Sequence, residues 1–282
     1  MSYPHSRLDR FTMGSVLVLL FCLPLPLGSV PFWAGALLNL WVALTALAWG
    51  FGVWRKKAFS SLLTHKNALL LSTLLVGAQV WVVLQSVLGI TLDNGATYQR
   101  LCLGLSYCLL FIVVIGVFNT RKRLTVLLAT LVVSGTFQAA FGAAMTLTGT
   151  EWLLFSAKTT YIGDATGTFI NRNHLAGYLE LTLAAGIGLL MALRDPRPFD
   201  WRNLIELIMG PKARLRIALV VMVIALVMSH SRMGNTAFFV GLSVVGGIFV
   251  LLDKGNRLRN SLILASIVLI DVLIVSQYFG LE

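Results

Sequence analysis

Two polar stretches hold most of the residues whose types and spacing could do chemistry. The first is GTFINRNHLAGYLEL, residues 167–181. Asn171 or Asn173 is suited to N-cap a helix there, which would present free N–H groups and a positive dipole end. Arg172 adds a full charge, and His174 a titratable or donor group. A helix N-terminus beside an arginine suits an anion, with phosphate the first candidate. Asn173, Gly177 and Glu180 fall on one helical face, Glu180 roughly 10 Å deeper. A carboxylate at that depth reads as a structural partner for a neighbouring side chain, or as a buttress for a substrate-holding arginine.

The second stretch is SHSRMGN, residues 229–235. The apolar segment around it, Ile217 to Leu252, is 36 residues long, too long for one membrane span and short for two. Its polar break therefore recesses Arg232, which points to a polar cavity or an anionic ligand; the plainer reading is an arginine snorkelling to the interface. Ser231 or Asn235 would cap the next helix, and His230 neighbours Arg232. Arg100, preceded by Asp93, is a weaker instance of the same pattern. Asp271 lies within an apolar run and needs a partner, whereas His5 and His65 read as incidental. No metal-ligand spacing, phosphate-binding glycine loop or Ser/His/Asp constellation occurs.

The elements that must position these residues are membrane spans. Of 282 residues, 57% are hydrophobic and 12% charged, against about 25% charged in a soluble domain. Backbone groups in lipid must be satisfied within their own segment, so the spanning elements are helices. Apolar runs predict nine: 12–30, 33–54, 68–90, 101–118, 124–147, 174–193, 213–231, 235–252 and 260–279, with Pro24 and Pro26 kinking the first. An uncleaved first span suits the N-terminus better than a signal peptide, because no small-residue cleavage site follows it. Cys22, Cys102 and Cys108 all lie in apolar segments and read as packing residues. The fold class is an all-α polytopic transmembrane bundle, one domain over 1–282.

The distribution of charge sets the orientation. A net charge of +11 taken alone suits a nucleic-acid partner, but the basic residues cluster between apolar runs, as membrane topology requires. With a cytoplasmic N-terminus, four of the 22 Lys and Arg residues lie outside, namely Arg100, Lys158, Arg172 and Arg232, and the other 18 lie inside. The longest outer loop is then 148–173, a basic cytoplasmic loop covers 194–216, and the C-terminus is periplasmic. The four outer cations are the exceptions to the positive-inside tendency. Each could be an ordinary loop residue; four on one face suggest a site.

The two stretches resemble the O-antigen ligase and O-antigen polymerase superfamily of bacterial envelope glycosyltransferases. GTFINRNHLAGYLEL is similar to that family's pattern of glycine, phenylalanine and two alternate asparagines at the outer start of a span. SHSRMGNTAFFVGL is similar to its serine–arginine–x–glycine turn. About thirty residues carry the resemblance. It implies transfer of a glycan from undecaprenyl diphosphate to a sugar acceptor, lipid A–core or a growing polysaccharide, at the periplasmic face of the inner membrane, without a metal or other cofactor. Beside that resemblance, the residues themselves offer Arg232, His174 and Glu180 as candidate catalytic groups, Glu180 by positioning an arginine. Arg172, Asn171, Asn173, Arg100, Lys158 and His230 would bind substrate. Membrane lipids are the other expected partners. Family members have about twelve spans and a large loop with an essential histidine near the ninth; this chain stops there, as a C-terminally truncated member would. A transporter or flippase for a lipid-linked or anionic substrate, and a non-catalytic membrane subunit, are the rival expectations.

Overall fold

The first helix, α1 (Arg7–Cys22), stops where Pro24 and Pro26 remove the backbone donors that would continue it. A single 3₁₀ turn follows at Leu27–Ser29, with Gly28 at φ 67°, and α2 (Phe32–Lys56) begins afresh. The two prolines therefore end the first helix, where the sequence predicts a kink in a continuous span over 12–30. The computed structural model describes residues 7–56, 66–154, 156–192 and 211–252. The predicted span 260–279 with Asp271, residues His5 and His65, and positions 194–210 of the basic loop all lie outside the described residues.

Six further α-helices follow: α3 (Lys66–Val87), α4 (Asn94–Val117), α5 (Arg121–Thr148), α6 (Arg172–Ala192), α7 (Pro211–Met228) and α8 (Arg232–Leu252). The described residues are helical apart from turns, loops and one small antiparallel hairpin, β1 (Trp152–Leu153) and β2 (Ser156–Ala157). Among the described residues five helices, α2 through α6, are long and apolar enough to cross a membrane. Nine such runs are expected from the sequence. Pro211 opens α7, the position at which its missing N–H costs nothing, so Lys212, Arg214 and Arg216 stand on a helix and not in a loop.

Helix α4 begins seven residues before the predicted span, because Asp93 caps it and accepts a hydrogen bond from the Ala96 N–H at 3.0 Å. Arg100 consequently sits two turns inside the helix, exposed, and does not open it. Hydropathy misses this start because Asn94–Arg100 is polar, whereas the cap satisfies the terminal donors whatever the polarity beyond.

Two compact units divide the chain, Met1–Ser134 and Gly135–Glu282. In the first, Val16 of α1 packs with Val113 and Val117 of α4 and with Leu127, and Leu19 packs with Leu38 and Val42 of α2. Polar ties cross this apolar packing: the Ser15 and Thr45 hydroxyls lie 2.7 Å apart, and the Trp41 indole donates to Ser15 at 2.9 Å. No residue of α3 is buried, and its exposed surface is mostly Leu, Val and Trp, as expected of a helix facing lipid.

In the second unit, α6 is the central element. Leu175, Ala176, Leu179 and Leu183 are fully or almost fully buried. It packs on both α7 and α8. A Cβ built on Gly135 of α5 would collide with the Thr182 hydroxyl, and one on Gly234 of α8 would stand 2.5 Å from the Ala176 Cβ. Small residues here set the interhelical distances, as in membrane helix pairs generally.

Candidate functional site

The starts of α6 and α8 meet. Asn171 is the N-cap of α6, its side-chain oxygen accepting from the Asn173 N–H at 2.8 Å. Ser231 is the N-cap of α8, its hydroxyl accepting from the Gly234 N–H at 3.3 Å. The same hydroxyl donates to the Asn173 side-chain oxygen at 2.9 Å, so one polar bond joins the two caps. Arg172 and Arg232 are the first helical residues of α6 and α8. Helix α8 therefore begins three residues earlier than hydropathy predicts, and Arg232 is exposed at its first turn.

The loop between α5 and α6 converges on Asp164. One carboxylate oxygen accepts from the Arg172 guanidinium at 2.7 Å. The other lies 2.7 Å from His230 Nδ1. The guanidinium also stacks over the Tyr161 ring, 5.3 Å from its centre. His230 itself sits in the turn between α7 and α8 with φ at 50°, a strained conformation for a histidine that surrounding contacts must hold. Next to Asp164, the Ala165 N–H donates to the Met228 carbonyl at 2.9 Å, which pins the loop to the end of α7.

Lys158 serves as the internal strut of the loop. Its side chain is 1% exposed and pairs with Glu151 at 2.8 Å, and its ammonium also donates to the Asp164 carbonyl at 2.7 Å. The hairpin register brings Glu151 and Lys158 together, flanking the Trp152–Ala157 pair. Lys158, read from the sequence as a substrate ligand, is thus enclosed and committed to the loop's own oxygens, with no surface for a substrate.

The second oxygen of Glu151 accepts from the Gly163 N–H at 2.7 Å. Burial alone would raise its carboxyl. The hydrogen bond and charge of Lys158, with the Gly163 N–H, outweigh that and hold it below its ordinary value. A depressed folded-state value stabilises the loop above the unfolded carboxyl's pKa, about 4.3. That contribution disappears as pH falls through the lower folded value. Protease protection of residues 148–171 should therefore be equal at pH 7 and pH 5.5 and fade below about pH 4. In Glu151→Gln this acid-linked loss should be blunted.

Gln138 of α5 anchors the other end of the loop. Fully buried, it accepts from the Thr168 N–H at 2.9 Å and the Thr168 hydroxyl at 3.0 Å. Gly167, at φ 57°, runs so close that a Cβ there would stand 2.7 Å from the same oxygen. Only glycine suits both the backbone angle and the space. Neither Gln138 nor Asp164 is among the residues singled out from the sequence.

His174 and Asn173 are exposed on the first turn of α6. Glu180 lies half-buried two turns further along, with its Oε1 3.2 Å from a Cβ built on Gly234. Among the described residues no salt bridge joins it to an arginine. Arg100 belongs to the first unit. Among the described residues no group of three His, Cys, Asp or Glu side chains could hold a metal ion. The assembled cluster is Arg172, Asp164, His230, Asn173 and Ser231, with Arg232 adjoining in sequence. No protein-family model, no curated protein and no solved structure matches this chain.

Proposed function

We propose that this chain is a multi-pass membrane glycosyltransferase of the O-antigen ligase type. It transfers a glycan from undecaprenyl diphosphate to a sugar acceptor at the outer face of a bacterial inner membrane. About nine spans with the N-terminal segment in the cytoplasm put the caps of α6 and α8 on that face. The reading is carried by the Asn173–Ser231 bond, which brings two helix N-termini, each opened by an arginine, to one place. A diphosphate needs that combination of aligned N–H groups and guanidinium charge. Arg232 and Arg172 hold the diphosphate and stabilise the charge that develops on the leaving group, while Asn171 and Asn173 fix the caps. The resemblance of residues 167–181 and 229–242 to that family's motifs supports the same assignment.

The test is the purified protein in liposomes, supplied with a polyprenyl-diphosphate glycan and a sugar acceptor. Glycosylated acceptor is the expected product. Translocation of the donor without transfer would replace this reading with a flippase, and neither outcome with a non-catalytic subunit.

A further inference from the structure

We propose that the first unit carries a binding surface of its own, for the phosphodiester headgroup of an anionic phospholipid, where five helix ends meet at one membrane boundary. Specific contacts gather those ends. Leu8, in the first turn of α1, lies against the last turns of α2, its Cβ 3.7 Å from one built on Gly52. The end of α4 also lies against α2, with Gly116 facing the Trp49 ring. Arg123 ties the start of α5 to the end of α4 by donating to the Val117 carbonyl at 2.6 Å. In the hairpin of α3 and α4, Gln79 meets Gly104. Lys66 and Val117 each lie thirteen residues from that meeting point, so the start of α3 is level with the end of α4.

The unit does not balance the charge it gathers there. Residues 1–134 hold ten Lys and Arg but two acids, Asp9 and Asp93, and Asp93 caps the opposite end of α4. Arg7, Arg10, Arg55, Lys66, Arg121 and Lys122 are all exposed at the shared end. Arg7, Lys66 and Arg121 are the first residues of α1, α3 and α5, where a positive charge opposes the helix dipole. The helices themselves give no reason for these cations; an anion at the headgroup level does.

An apolar rim makes a lipid the fitting anion. Phe11 of α1, Phe51 and Trp54 of α2, and Leu124 of α5 are exposed within a turn of those cations, and the Arg55 guanidinium lies over the Phe51 ring, 5.7 Å from its centre. Helices α2 through α5 are each long and apolar enough to cross a membrane, and aromatic side chains at the end of such a helix sit at headgroup depth. Guanidinium groups can grip phosphate oxygens in pairs while their stems lie along apolar surface. A phospholipid engages both the cations and the rim. A soluble phosphate would use the cations alone, and a zwitterionic lipid cancels its phosphate with its own ammonium.

Native mass spectrometry of the full chain, released from micelles with equal phosphatidylglycerol and phosphatidylcholine, reads the preference without any activity. Phosphatidylglycerol adducts should predominate. Each cation near an anionic surface contributes about fivefold, so Arg121→Gln with Lys122→Gln should lower the ratio of the two adducts about 25-fold. Arg7→Gln with Arg10→Gln should do the same, and serves should the first pair fail to fold by circular dichroism. Arg214→Gln with Arg216→Gln, which removes two exposed cations of α7, should leave the ratio near native. Equal adducts of both lipids on the native protein would overturn the proposal. An equal loss in the α7 variant would replace the site with general attraction between basic protein and anionic lipid. Phosphatidylglycerol that stays bound in excess glycerol phosphate supports the headgroup assignment; its displacement would overturn it in favour of a soluble phosphate.

Discussion

Arg232→Ala is expected to lower glycan transfer on the order of 100- to 1000-fold, the loss typical when a group opposing leaving-group charge is removed. The folded protein should be little affected. Arg232 is exposed and is the first residue of α8, where a positive charge opposes the helix dipole. The cap is Ser231, which the substitution leaves intact. Arg232→Lys should recover only part of the rate, because an ammonium lacks the planar fork that grips two phosphate oxygens. The measurements are initial rates in liposomes beside the thermal unfolding midpoint in detergent. Full activity in Arg232→Ala would remove it from the site.

Lys158→Met should have the largest effect on stability, about 3–5 kcal/mol, the usual consequence of removing one partner from a buried ion pair. Methionine keeps the bulk and apolar stem of the side chain, so the loss comes from two stranded acceptors: the Glu151 carboxylate and the Asp164 carbonyl, 2.8 and 2.7 Å from the missing ammonium. The first symptom should be protease cleavage within 148–171, since local opening precedes global unfolding. Transfer should fall with it, because Asp164 would no longer hold His230 and Arg172. Adding Glu151→Gln should restore much of the stability, the amide oxygen still accepting from Gly163 without leaving a buried charge. A singly substituted Lys158→Met protein as stable as the native one would show that the strut is dispensable.

A third substitution probes the contact between helices. Gly234→Val places branched atoms against the Ala176 Cβ, 2.5 Å from even a bare Cβ, and the obstruction is a methyl close to the backbone, not a flexible tip. The helix starts must separate, at about 1–3 kcal/mol, and the Asn173–Ser231 bond should break. Transfer below half of the native rate and a lower unfolding midpoint are the expected results; native behaviour in both would mean α6 and α8 do not pack this closely.

Much of the bundle is legible because lipid leaves few choices. An apolar run of about 20 residues must be a helix, and the runs over 68–90, 124–147 and 174–193 lie within three residues of α3, α5 and α6. Where local capping chemistry competes with hydropathy, hydropathy fails. Asp93 draws α4 out to Asn94, Ser231 draws α8 out to Arg232, and the prolines after Cys22 end α1. The pairing of the two caps was also legible in part, since both stretches carry cap residues followed by arginine.

The sequence reading places the loop between α5 and α6 outside but misses its internal pairing, although one signal is present. Between 148 and 173 the chain has two acids, Glu151 and Asp164, and two bases, Lys158 and Arg172. Equal numbers in a short segment favour internal pairing, which is what forms: Lys158 with Glu151, and Arg172 with Asp164. Read as exceptions to membrane topology, the two bases point to ordinary loop residues or to a ligand, and not to each other's acidic neighbours. Gln138 carried no signal at all, because a single amide within an apolar helix is ordinary until its partner, Thr168, is known.

The most direct measurement is photolabelling with a polyprenyl diphosphate that carries a diazirine beside the phosphates. Adducts should fall within 164–174 and 229–235, the segments that meet at the caps of α6 and α8, and should drop about tenfold in Arg232→Ala, as loss of roughly 1.4 kcal/mol of binding implies. Adducts spread over the lipid-facing surface of α3, undiminished by that substitution, would contradict the account.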